Sequence, residues 1–214
     1  MSKVKYTLPF IIAIFATSLY SFSGEPTLAL KEFGHYAFQK EIKPDYSINS
    51  QNIVLKSFDN ISLEHLDATI IKLSSFPTRY YLTESGVQAM HWIKEHWQGL
   101  TQKRTDIRVQ EFKHGYHNQP TIILTVEGYD PDLKNEIIIL GGHGDSINTH
   151  SNDIHALAPG ADDNAAGIAV LSELIRRLVE MDYKPQRTIQ FIAYAAEEPQ
   201  ERSSYELTRW YREN

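Results

Sequence analysis

The sequence predicts an α/β protein, a three-layer α/β/α sandwich around a mixed, mostly parallel sheet. Three observations carry this. The runs Ile137–Leu140 and Arg187–Ala196 are β-rich and apolar with little polar alternation, the pattern of strands covered on both faces. Between them, Ile168, Leu171, Leu174, Ile175 and Leu178 recur at helical spacing. Polar, chemistry-bearing residues gather where the apolar runs end, as ligands do at the carboxyl ends of strands in open α/β sheets.

Taken in order, Lys3 and Lys5 precede an apolar stretch from Leu8 to Tyr20, and small residues follow at Ser21 and Ser23. This is the layout of a secretory signal over residues 1–23, with the mature chain starting at Gly24. The apolar stretch is too short to span a bilayer comfortably, so export to a secreted or periplasmic location is expected, with no membrane attachment after cleavage. Residues 24–60 are irregular and polar, an N-terminal arm. The folded domain is expected over 61–214. Ser62 opens a helix from Leu63 to Leu73, and a second, from Glu84 to Leu100, sets Val87, Met90, Ile93, Trp97 and Leu100 on one face. Trp92 and Trp97 follow that spacing and are read as core anchors. Ile107–Phe112 and Thr121–Gly128 form a hairpin-like pair of strands through a loop holding His114 and His117, both read as loop residues. A longer loop carries His150 and His155, and a last helix begins at Tyr205 and runs to the end of the sequence.

Composition excludes several functions. A net charge of −6 with no basic stripe argues against nucleic-acid binding. No G-x-S-x-G elbow is present, so a serine hydrolase would lack its nucleophile. With 42% hydrophobic residues the chain can build one core without cysteine, of which it has none. A monomer is expected.

The candidate chemistry lies between Ile137 and Glu198. His143 and Asp145 follow the first buried strand at i and i+2, so Asp145 can accept the proton of the imidazole nitrogen turned away from a metal. A histidine in a turn with Asp145 capping the backbone is the plainer alternative. Asp162, Asp163 and Asn164 stand at a helix N-terminus, where Asp163 or Asn164 serves as the cap. That leaves Asp162 able to bridge cations. Glu197 and Glu198 end the second strand at the same sheet edge, where one carboxylate can bind metal and the other accept a proton from water. Adjacent glutamates are otherwise ordinary solvated charge.

In the order H-x-D, G-A-D-D-N before a helix and E-E after a strand, these motifs resemble the secreted bacterial leucyl aminopeptidases. Those are di-zinc exopeptidases related to glutamate carboxypeptidase and the transferrin receptor ectodomain. Ser74–Leu100 and His114–Gln119 share the likeness, which extends from about residue 60 to Asn214. The resemblance implies a zinc metallopeptidase acting on peptide N-termini, with a leucine-like preference and two Zn2+ ions. It makes His143 and Glu198 ligands of separate zincs, Asp162 the bridging ligand with a cis peptide to Asp163, Glu197 the general base and Asp145 the group orienting His143. It also implies that residues 24–60 are a propeptide, and that a further Asp, a further His and the substrate pocket come from sequence beyond Asn214. Two other readings follow from the same resemblance: a truncated or binding-only homologue without activity, and a carboxypeptidase or dipeptidase sharing the metal site. Gly144, where the family carries a larger residue, and Pro199–Ser204, in place of a glycine-bearing loop, depart from its pattern.

Overall fold

The computed structural model describes residues 51–199 and 202–214. The signal-like segment and the arm as far as residue 50 lie outside the described residues. The elements run α1 (Gln51–Phe58), α2 (Leu63–Ser74), α3 (Glu84–Thr101), β1 (Ile107–Phe112), β2 (Thr121–Val126), β3 (Ile137–His143), α4 (Ala166–Glu180), β4 (Thr188–Tyr194) and α5 (Arg202–Glu213).

The four strands form one mixed sheet in the order β1-β2-β4-β3. β2 is antiparallel to both β1 and β4, while β3 and β4 run parallel, pairing His143 with Tyr194. The sequence predicts mostly parallel strands; the described part has one parallel and two antiparallel pairings, because β1 and β2 join through a short hairpin loop. The parallel pair positions the site: β3 and β4 deliver their carboxyl ends to the same end of the sheet.

Alternation along the inner strands builds the layers. Ile122, Leu124, Phe191 and Ala193 face a core with Leu73 of α2, Met90, Ile93 and Trp97 of α3, and Ile168 and Ile175 of α4. Ile123 and Ile192 face the other way, against Leu207 of α5. Each large apolar side chain so buried contributes roughly 1.5–3 kcal/mol. Trp97 is fully buried and donates its indole N–H to Ser172 Oγ at 2.9 Å, as an anchor joining α3 to α4. Trp92 stacks on His96 with ring centroids 4.8 Å apart.

Two expectations are corrected. β3 is an edge strand of the described sheet, with Ile138 46% exposed, and the strand buried along its whole length is the inner β2. The end of the supposed irregular arm is helical: α1 buries no residue but is held at its C-terminal end. There Arg177 donates to the carbonyls of Ser57 at 3.1 Å and Lys56 at 3.0 Å, and Arg176 donates to that of Asn60 at 2.6 Å. Cations satisfying the carbonyls at a helix end stabilise it, a long-range contact that local sequence does not display. Ser62 caps α2 by accepting from the His65 amide at 3.1 Å. No helix among the described residues is long and apolar enough to cross a membrane.

Candidate metal centre

Three segments meet at the carboxyl end of β3 and β4. The first is the end of β3 itself. His143 Nδ1 stands 3.4 Å from Asp145 Oδ1, a long ion-pair contact with no closer partner, and Nε2 lies 2.9 Å from Asp163 Oδ1. Asp145 is fully buried. Its two oxygens accept the main-chain amides of Glu197 at 3.1 Å and Glu198 at 3.2 Å, so one carboxylate ties the end of β3 to the glutamate turn after β4. A carboxylate held by two amides keeps its orientation.

The second segment is the wide turn Ala161–Ala165 leading into α4. Here the sequence reading is one residue out. Asp163, not Asp162, joins His143 and Glu198: one ligand atom from each of these three side chains lies within 4.8 Å of the other two. Asp162 is exposed and outside that group. The cause is the cap. Asn164 Oδ1 accepts the Gly167 amide at 3.0 Å, which leaves Asp163 free, and Asp163 has extended backbone angles (φ −113°, ψ 96°) that break the helical turn. The cis peptide is likewise Asp163–Asn164, one bond later than the resemblance implies. Gly167 is required where it stands, since a Cβ there would lie 2.2 Å from Asn164 Oδ1.

The third segment is the turn after β4. Ala196 takes a left-handed φ of 47°, uncommon for a residue with a Cβ, and so re-aims the chain as it leaves the sheet. Four consecutive amides are each accepted by a buried side chain: Ala195 by Thr121 Oγ1, Ala196 by Gln119 Oε1, and the two glutamates by Asp145. Glu197 Oε2 lies 3.9 Å from His143 Nε2, and its side chain is 33% exposed.

The electrostatics are those of crowded negative charge around one imidazole. Burial, with Asp163, Asp145 and Glu197 nearby, pushes the Glu198 carboxyl up to about 7 despite the opposing His143. Burial disfavours a charged His143, but the contact and charge of Asp145, with Glu197 and Asp163, outweigh it and carry the imidazole up to about 9. Without a cation the cluster therefore holds protons at neutral pH in places where a metal would supply the positive charge. One imidazole and two carboxylates converging this closely suit a borderline cation such as zinc.

The other histidines lie elsewhere. His114 is bound between Glu206 at 2.9 Å and Thr121 at 2.8 Å, and His117 Nε2 is 2.9 Å from Ser203 Oγ, so both pack the β1–β2 loop on α5. His150 and His155 are exposed in their loop and outside the cluster. Residues with no motif to announce them complete the site: Arg79 and Gln119, both fully buried, and Thr121. Their only sequence signal is position: Gln119 stands just ahead of β2 and Thr121 opens it, while Arg79, between Thr78 and Tyr80, has none.

Over 160 residues the chain is 34% identical to leucine aminopeptidase 1 of Trichophyton rubrum, a match spanning 71% of this chain and 41% of that protein. LapB from Legionella pneumophila superposes with a TM-score of 0.64 at 30% identity, over 72% of this chain and 40% of LapB. The LapA aminopeptidase of the same organism gives 0.73 at 24% identity over 84% of this chain and 46% of LapA, a likeness of fold. The chain thus spans about two-fifths of the length of such relatives. Residues 121–208, which carry His143, Asp145, Asp163, Glu197 and Glu198, match the model of Peptidase family M28.

Proposed function

We propose that the protein is a zinc-dependent aminopeptidase that removes N-terminal residues, leucine-like apolar ones in preference, from peptides. One observation carries the reading: the convergence of His143, Asp163 and Glu198 beside the separate carboxylate of Glu197. The three would hold zinc, with Asp163 taking the ligand place assigned by resemblance to Asp162. Zinc bound there supplies Lewis-acid chemistry, lowering the pKa of coordinated water and polarising the scissile carbonyl.

The chain's own groups do the rest. Glu197 accepts a proton from water and returns it to the leaving amine. Asp145 orients His143 while its grip on two consecutive amides keeps Glu197 and Glu198 aimed at the same end of the sheet. The leucine names of the relatives and the polar, acidic rim support a substrate whose free ammonium group is held near the carboxylates. Export, with the mature N-terminus at or after Gly24, belongs to the same proposal, and N-terminal sequencing of the exported protein tests it.

The test of activity compares leucyl p-nitroanilide with its N-acetylated form, before and after chelation and zinc restoration. Hydrolysis of the free-amine substrate alone, lost with the metal and regained with zinc, is expected. Equal cleavage of the acetylated substrate, or release of residues from peptide C-termini, would contradict an aminopeptidase.

A further inference from the structure

Arg79 lies in the segment between α2 and α3, more than sixty positions before the first residue of the site, and its side chain is fully buried. Its guanidinium has only carbonyls as hydrogen-bond partners. Nε donates to Gly144 O at 2.8 Å, between His143 and Asp145; Nη2 donates to Gly160 O at 2.9 Å and Nη1 to Pro159 O, at the start of the Asp163 turn; Nη1 also reaches Leu73 O at 3.1 Å. Gly160 itself has a φ of 48°, so the carbonyl that Arg79 holds belongs to the backbone kink that opens the turn.

Gln119 continues the connection to the third segment. Its Nε2 donates to Arg79 O at 3.0 Å and to Gly86 O at 3.1 Å, while its Oε1 accepts the amide of Ala196 at 3.1 Å, the residue whose positive φ turns the chain toward Glu197. Ser146 Oγ accepts the Arg79 amide at 3.0 Å and donates to Ala158 O at 2.7 Å, so the arginine is also fixed at its backbone. Every segment that brings a group to the centre is therefore tied to one buried Arg79–Gln119 unit.

We propose that Arg79 and Gln119 are positioning residues of the metal centre, a single buried strut that sets the spacing of the His143, Asp163 and Glu197–Glu198 segments before a metal arrives. The proposal rests on the zinc-peptidase reading. Neither residue touches a ligand atom; both act through main-chain groups. A strut made of hydrogen bonds to carbonyls holds the backbone without competing with the ligands for charge.

The experiment measures zinc affinity by competition with a chromophoric chelator and the visible absorption of the Co2+-substituted protein. It uses the full chain and the variants Arg79→Lys, Gln119→Leu and Ala196→Gly. Disturbing the groups behind metal ligands typically weakens binding 10–100-fold, and a loss in that range with an altered Co2+ spectrum is expected for Arg79→Lys and Gln119→Leu. In any folded variant kcat should fall while KM stays within about twofold of the parent, the split expected when positioning rather than binding is lost. Ala196→Gly is the control: it keeps the amide that Gln119 accepts and suits the positive φ, so the strut account predicts unchanged zinc affinity there. A variant that unfolds without metal is read by the zinc concentration at which it refolds. Affinity and spectrum unchanged in Arg79→Lys and Gln119→Leu, or a loss in Ala196→Gly as large as theirs, would overturn it. Failure of the parent chain to bind zinc, or binding without hydrolysis of leucyl p-nitroanilide, would count against the peptidase reading instead, and a zinc-binding parent still tests the strut.

Discussion

The groups that would meet substrate and the groups that hold them occupy opposite extremes of burial. Asp163 exposes 74% of its side chain and Glu197 33%, whereas Asp145, Arg79 and Gln119 expose none. The rim is negative and open to solvent; the support is buried and hydrogen-bonded. Such a division suits a site whose rim charges are to be neutralised by a cation and whose geometry must exist beforehand. Substitutions on the rim should thus change chemistry with little effect on folding, and substitutions in the support should change both.

The largest expected effect breaks the rim. Glu197→Gln should lower kcat by a factor of about 10^2–10^4, the range for losing a general base, with zinc content and melting temperature near the parent's. Loss of zinc in parallel with activity would instead make Glu197 a ligand.

Asp145→Ala breaks the support at its most connected point. It strands two partly buried amides and leaves His143 without its orienting carboxylate. A destabilisation of about 2–4 kcal/mol follows from two unsatisfied donors, together with zinc binding weakened 10–100-fold. Thermal unfolding and chelator competition on the same preparation check both. An effect on zinc alone would mean that the amides find other acceptors.

The pH dependence of the metal-free chain sharpens the comparison. The His143 pKa is carried up to about 9 from 6.5, so its contribution to stability is complete below 6.5 and lost as pH rises toward 9. Glu198, raised to about 7, acts in the same direction, because the folded state binds the extra proton and ionisation above its ordinary range disfavours folding. Below pH 6.5 the buried His96, lowered to about 4 by burial and His65, acts oppositely. The metal-free melting temperature should accordingly fall between pH 7 and 9, by an amount on the order of 2 kcal/mol in stability, and added zinc should flatten the slope.

Much of this is legible in the sequence, for reasons that differ by residue. α3 shows itself through its apolar spacing and Thr83–Glu84 start, and the glutamate pair through its place after an apolar strand. The choice between Asp162 and Asp163 is not decided by local pattern: it depends on Asn164 taking the cap and on an extended backbone at Asp163. Arg79 is less visible still, since an arginine between Thr78 and Tyr80 resembles a surface residue until four distant carbonyls are brought around it. Gly144 stands out in the sequence only as a departure, and its reason is steric: a Cβ there would stand 2.5 Å from Met90 Sδ.

That contact yields the smallest effect. Gly144→Ala should cost about 1–3 kcal/mol by overpacking, and Met90→Ala should recover part of it in the double variant. Additive costs in the two changes would show that Met90 is not the obstacle.

The placement of the metal on Asp163 rather than its neighbour is the centre of the account, and paired substitutions test it. Zinc affinity would be measured by chelator competition for Asp163→Asn and Asp162→Asn, each keeping the shape of the turn while removing one charge. The account predicts that Asp163→Asn weakens binding by at least tenfold and that Asp162→Asn leaves it within about twofold, the difference expected between a ligand and a solvated surface carboxylate. The reverse order, or equal losses from both, would contradict it.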